Sequence, residues 1–437
     1  MVNLFDYEVI IGGEGSGTLL LTFCSELISI TSNYNYDLNV NNNRHIHINN
    51  NITETINGEY DKYIKNILTK TYKKNYNINI DNNFTKVIKA NNIETIKLDY
   101  NINNNDLTHQ TVKYDYNLNV FENSTDKLNV NSQFYSKNLV KTIQSNNDVY
   151  IEETKILDIH NDCKYNITGT NTIYIKQDSN ETFGNRYINI NNQLTETVTG
   201  YVEGFNEKLI EKKRFTTIDG ITKETFGKDK TFDVFGATTT SITGFRTTNI
   251  QNNLNKTIGD DSIETYKKDH ITTISMNLNK TIEGFYNINV TNDVLHTFKK
   301  NNQNSITNNL DSTYNSKYNI NVYESDNNIY YGHNTNVTLT YNRNIKQSHF
   351  NTIHNDFSRT IGKDNVDKIK LYLKEKVYND ANETYKNNYD KKINETFSIF
   401  HNTNKKLNIH NNYNFNVNNY YWQHTLGIST STFNSNY

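Results

Sequence analysis

Apolar residues return at every eighth position along most of this chain. From Ile210 to Tyr330 sixteen successive eighth positions, among them Ile218, Phe226, Val234, Ile258, Ile282 and Val322, hold no polar residue. Eight is even, so an extended chain brings the same face back each time. Helical spacing would instead recur at three, four and seven. The same step runs from Val40 to Leu128, then from Tyr135 to Phe183, through Ile190 and Val198, and from Ile345 to Val417. In all, 47 anchor positions carry only two polar exceptions, Asn104 and His401. The phase slips back by one residue after Leu128, after Phe183 and between Tyr330 and Ile345, and four residues are inserted between Val198 and Ile210. Each slip is expected at a turn, because a slip inside a strand would flip every side chain to the other face.

Each octad reads as a short strand that ends on its anchor, followed by a corner. Gly227, Gly259 and Gly362 lie one residue past an anchor, and Gly220, Gly236, Gly244, Gly284 and Gly332 two past. The expectation is that glycine there supplies a positive φ. The predicted organisation is an N-terminal attachment or capping segment over 1–35, an octad-repeat β-helix over 36–418, and a C-terminal cap or tip over 419–437.

Composition sharpens this picture. The chain has 437 residues, no proline and 34% hydrophobic residues. Its Asn, Ile, Thr, Lys and Tyr content favours strand over helix. Low hydrophobicity with so much Asn also fits disorder, but a fixed apolar period argues against it. The net charge is −2 with both signs interspersed, so nothing marks a nucleic-acid partner. Two cysteines, Cys24 and Cys163, give neither a disulfide framework nor a zinc spacing.

A five-residue strand plus a corner cannot bury its own face, but stacked units can. Three corners close a triangular prism with the anchors inside, built by one chain coiling or by three chains intertwining. One strong anchor per octad favours the three-chain version, since a single coil usually shows several inward positions per face. The fold class expected is therefore all-β, a β-solenoid of octads as an intertwined triple-stranded β-helix, a homotrimeric prism. With strands about 4.8 Å apart the trimer would rise roughly 220 Å and a lone coil roughly 75 Å.

At TETVTG (195–200), NKTIGDDSIET (255–265) and NKTIEGFYNINV (279–290) the chain resembles the triple-stranded β-helix of VgrG-type secretion spikes and contractile-phage central spikes. The resemblance implies a homotrimeric, needle-like part of a virion or secretion-type particle. It implies attachment through the N-terminal segment and contact with a host membrane or cell surface at the C-terminal tip. The alternative is a host-receptor-binding fibre or adhesin.

Candidate chemistry is sparse. The glycine cluster at Gly12, Gly13, Gly15 and Gly17 is followed by TLLLTF, a strand-like run, whereas a phosphate loop opens a helix. His45 and His47 form an H-x-H whose parity, set by Ile46 and Ile48, points outward. His401 occupies an anchor, so three copies would meet on a trimer axis and could hold a metal. Asn104 would form a hydrogen-bonded ring there, as a buried Asn does in coiled coils. Glu54, Glu94, Glu196, Glu264 and Glu283 are expected as exposed ladders that block edge pairing rather than as a catalytic pair. No enzyme activity and no cofactor are expected. Tyr420, Tyr421 and Trp422 are expected to cap the prism across its axis.

Overall fold

The computed structural model describes residues 19–433, except 24–26, 33–35, 41–43, 49–50, 58, 66, 74, 129–131, 152–154, 176–178, 191–193, 199–204, 211–213, 219–221 and 227–228. Every regular element among them is a strand, and most are five residues long. The glycine cluster, Cys24 and the insertion before Ile210 lie partly or wholly outside the described residues, as does most of the proposed 1–35 segment. The chain divides into two compact units, Met1–Gly220 and Ile221–Tyr437.

Both units are β-solenoids with three octads to the turn. In the first unit Tyr60–Ile64 pairs in parallel with Phe84–Ile88, residue against residue at an offset of 24. Leu68–Tyr72 pairs in the same way with Asn92–Ile96, and Tyr76–Ile80 with Tyr100–Asn104. The second unit repeats the offset, from Leu254–Ile258 on Leu278–Ile282 to Lys405–Ile409 on Ser429–Phe433. Corners join the ladder too. At many corners the residue after an anchor donates its N–H to the anchor carbonyl one turn earlier, as Lys89 does to Ile64 (2.9 Å) and Lys267 to Ile242 (3.0 Å).

Strand parity sends residues one, three and five of each strand into the lumen. Tyr60, Lys62 and Ile64 are buried while Asp61 and Tyr63 are not. The anchors are position five, and they are sealed: Ile64, Tyr72, Ile258, Ile274 and Ile409 are no more than 1% exposed. Each such side chain contributes about 1.5–3 kcal/mol. The inward face therefore carries three residues per octad where the apolar scan saw one. The other two were invisible to it because they are often polar.

Two anchor assignments change. Ser136, 3% exposed, is the residue that aligns with Val112 and Ile159, whereas Tyr135 aligns with Thr111 and Asp158 on the outward parity. Val337, 2% exposed, is an anchor between Tyr330 and Ile345 and aligns with Ile361. The one-residue slips thus fall between Ser136 and Ile143, Phe183 and Ile190, and Tyr330 and Val337. All three lie in the 12-residue strands Ser132–Ile143, Ser179–Ile190 and Asp326–Val337. There the corner is drawn out into continuous strand, and the register shift sits at the corner, as at Ser136/Leu139 and Ile306/Asn309. The slips are therefore not absorbed at turns as expected: they lie within continuous strands, where a register irregularity restores the inward parity.

Glycine has a different reason from the one expected. Among the described residues, Gly259, Gly284, Gly332 and Gly362 have no positive φ; instead a neighbouring turn crowds each of them. A Cβ at Gly362 would lie 2.0 Å from the Thr338 carbonyl oxygen, and one at Gly259 2.5 Å from that of Phe235. Both neighbours are 24 residues earlier, so the glycine requirement is imposed by stacking.

Candidate functional site: the polar lumen

The middle inward position, two before the anchor, carries charge. In the first unit Glu54, Lys62, Lys70, Lys86 and Glu94 are at most 7% exposed. These acids share the anchor's parity, so Glu54, Glu94, Glu196 and Glu264 lie inside and not in exposed ladders. Glu283, one past its anchor, is exposed at a corner.

Charge in so dry a place requires partners. Glu94 accepts from Lys86 Nζ at 2.6 Å and from Asn92 Nδ2 at 3.0 Å, with Lys70 Nζ at 3.8 Å. Burial pushes the Glu94 carboxyl up, but Lys70 and Lys86 outweigh it and hold it well below the usual carboxylate range. Glu54 accepts from the hydroxyls of Tyr60 and Tyr76, both at 3.2 Å. Lys62 has its ammonium 4.8 Å from the Tyr60 ring centre, and burial drives its pKa well below that of a free lysine.

The second unit repeats the pattern with other residues. Glu264 accepts from Lys256 Nζ at 2.7 Å, Tyr266 Oη at 2.9 Å and Tyr286 Oη at 3.2 Å. The rings of His270 and His296 stand edge to face at 5.1 Å beside them. Burial first, then Lys280, depresses His296 to about 3, and burial with Arg246 lowers His270. Burial and Lys256 bring Lys280 down to about 8. Further along, Arg343 forks onto Asp367 through Nε (3.0 Å) and Nη2 (3.1 Å). Its Nη1 donates to His349 Nε2 at 2.8 Å, and His349 Nδ1 faces Asp326 Oδ2 at 2.9 Å.

The predicted site residues separate under this geometry. His401 is an anchor with no exposed surface, but in this single-chain coil it aligns with Val377 and Thr425. The anchors before and after it are Ile393 and Ile409, so one imidazole stands alone in its turn. Burial lowers its pKa, and neither ring nitrogen has a hydrogen-bond partner among the described residues. A metal needs several such donors, and no cluster of three His, Cys, Asp or Glu residues occurs among the described residues. Within one chain, His401 alone therefore supplies no metal site. Ile46 is buried as its parity requires, while the side chains of His45 and His47 lie outside the description. Asn104 staples its own corner: its Nδ2 donates to the carbonyls of Asp106 (3.0 Å) and Leu107 (3.2 Å) and to Thr108 Oγ1 (2.8 Å). Cys163 is a buried free thiol, pushed up by burial to about 12.

Outside the lumen, asparagine builds ladders at the corners. Asn253 Oδ1 accepts from the Asn277 N–H at 3.1 Å, Asn277 Oδ1 from Asn301 at 3.2 Å, and Asn301 Oδ1 from Ser325 at 3.0 Å. Asparagine every 24 residues is a signal that was present in the sequence, and it reports the length of a turn.

The predicted cap at 419–437 continues the coil as two more strands, Tyr421–Thr425 and Ser429–Phe433. Tyr421 turns inward and stacks on Phe397 at 5.2 Å, with Phe415 edge-on to both at 5.7 and 5.0 Å. Tyr420 and Trp422 remain 70% and 48% exposed. Of the three predicted aromatics, Tyr421 joins the Phe397 and Phe415 rings although it remains 56% exposed.

No protein-family profile matches the chain, and no curated protein and no solved structure matches it either.

Proposed function

We propose that this chain is a structural spike of a virion or secretion-type particle, a stiff element for attachment or membrane penetration, and not an enzyme. The supporting observation is the C-terminal turn. Residues 407–437 contain no Asp, Glu, Lys or Arg, although the chain is 21% charged overall. In that stretch Tyr420, Trp422, Leu426 and Ile428 are 70%, 48%, 60% and 71% exposed. Exposed apolar residues gathered within one turn suit a contact site, and aromatic residues with no charge suit the interface of a lipid bilayer. The N-terminal segment is the proposed attachment to the particle.

The resemblance to spike proteins carries a homotrimer with it. Three intertwined chains would replace each pairing at offset 24 by a pairing between chains. Matched buried groups at that offset, Arg343 with Asp367 and Asn147 with Asn171, support coiling within one chain. Mass in solution tests the oligomer. Sedimentation at three times 51.0 kDa supports the trimer, and a 51.0 kDa particle removes it.

Flotation with neutral phosphatidylcholine vesicles tests the contact end. The wild-type chain should float, and the combined variant Tyr420→Ser, Trp422→Ser, Ile428→Ser should stay at the bottom. Equal flotation of both would sink the membrane reading. No flotation of either would favour the host-receptor-binding fibre or adhesin, for which the same exposed residues are the contact.

A further inference from the structure

We propose that the lumen of the second unit, over the turns between Asn302 and Arg359, is a wet chamber that holds a cluster of ordered water molecules. Its volume is ≈ 100 Å³. The space follows from the sequence. At the middle inward position Asn304, Asn328 and Asn351 stack in one column, and Ser312 and Thr335 stack in another. Flanking turns put Lys280, Ile288 or Glu383 at that position, which are longer side chains. Short polar residues on two columns leave the triangle unfilled.

Orphaned polar atoms say what fills it. Asn302 and Asn351, 3% and 4% exposed, each have a side-chain oxygen with no hydrogen-bond partner among the described residues. Arg359, 4% exposed, has an Nε–H in the same condition, as does His333 Nδ1. All four residues line the cavity. Two acceptors and a guanidinium donor around one space suit a guest that both donates and accepts. Buried polar groups left unpaired are costly, and water normally supplies the missing bonds. A volume of this size accommodates on the order of three to six waters. An anion fits less well: Arg343 is already forked onto Asp367, and Arg359 Nη1 lies 3.9 Å from Glu383.

Two measurements on the full chain test the chamber. Water-oxygen relaxation dispersion on the wild-type protein should reveal long-lived internal waters, and a high-resolution crystal structure should place some of them within hydrogen-bond distance of Asn302 Oδ1, Asn351 Oδ1 and Arg359 Nε. Ser312→Leu, which fills the space with an apolar group and strands those atoms, should lower the thermal midpoint and remove the long-lived waters. A dry cavity predicts the reverse, since filling it would raise the midpoint. A raised midpoint, a wild-type protein without long-lived waters, or an anomalous bromide peak in the chamber after a soak would each overturn the proposal. Should Ser312→Leu fail to fold, the two wild-type measurements still decide.

Discussion

Arg343 and Asp367 illustrate what a polar interior demands of single residues. Both are nearly sealed, at 4% and 1% exposure, and two parallel hydrogen bonds join them. Removing one partner strands the other. Asp367→Ala should therefore destabilise by about 3–5 kcal/mol, read as a lower midpoint in denaturant. The double change Arg343→Met, Asp367→Leu should recover most of that loss, because it removes both desolvated charges. Equal losses in the single and double variants would contradict the pairing. Sequence reasoning did not single out this pair, and it placed the glutamates at the equivalent position, such as Glu264, in exposed ladders. Parity alone would have placed them inside: a residue two before an inward anchor also points inward.

The buried histidines add a pH dependence at the same scale. His270 and His296 have folded pKa values below the ordinary histidine range, His296 at about 3. In the unfolded chain they take up protons near pH 6.5. The folded state thus binds fewer protons, so their contribution is complete above pH 6.5 and declines as pH falls toward 3. Depressed carboxylates such as Asp326 and Asp367 begin to lose stability only below about pH 4. Thermal midpoints measured between pH 7 and 5 should therefore fall, and the fall should be smaller for His270→Phe, His296→Phe. An identical slope in that variant would remove the histidines as its source.

At the scale of the element, the octad was legible and its corner was not. Anchors such as Ile258 and Ile361 stand out because position five tolerates almost nothing polar. The slip near Tyr135 was misplaced by one residue, because Ser136 occupies the anchor and an outward tyrosine sits beside it. A serine can hold an inward place when its hydroxyl is bonded, here to the carbonyls of Tyr114 (3.1 Å) and Asn138 (2.5 Å). Corner glycines were read through φ, whereas their reason lies a whole turn away in sequence. That reason predicts graded effects. Gly362→Ala places a methyl group against the backbone of Thr338 and should lower stability by about 1–3 kcal/mol. Gly332→Ala meets first the end of the Asn309 side chain, at 2.6 Å, which can swing aside, so its effect should be smaller. Denaturant midpoints compare the two, and a reversed order would contradict the stacking explanation.

At the scale of the molecule, the apolar period fixes three faces and leaves open how many chains share them. A period of eight describes one coil and three woven chains equally well. Coiling of one chain adds a period of 24, carried by asparagines at corners, paired charges in the lumen, and aromatic stacks such as Tyr76 on Tyr100 at 5.6 Å and Tyr389 on Tyr413 at 5.4 Å. An apolar scan does not register these pairs. Function is less legible still, because the lumen chemistry stabilises the coil and the exposed aromatic turn names no target.

The central claim is that each octad stacks on the octad 24 residues later in the same chain, and a designed cross-link tests it most directly. Asn255 and Asn279 align across adjacent outward-facing positions, with Asn279 Nδ2 donating to Asn255 Oδ1 at 2.9 Å. Neighbouring strands lie about 4.8 Å apart, within the reach of a disulfide. With Cys24 and Cys163 replaced by serine, Asn255→Cys, Asn279→Cys should oxidise to an intramolecular disulfide in a chain that still runs as a monomer on a non-reducing denaturing gel. Asn255→Cys, Ile263→Cys should not cross-link, because those residues lie on different faces of one coil. The opposite outcome, free thiols in the first variant and covalently joined chains in the second, would show that the rungs alternate between chains and would contradict the account.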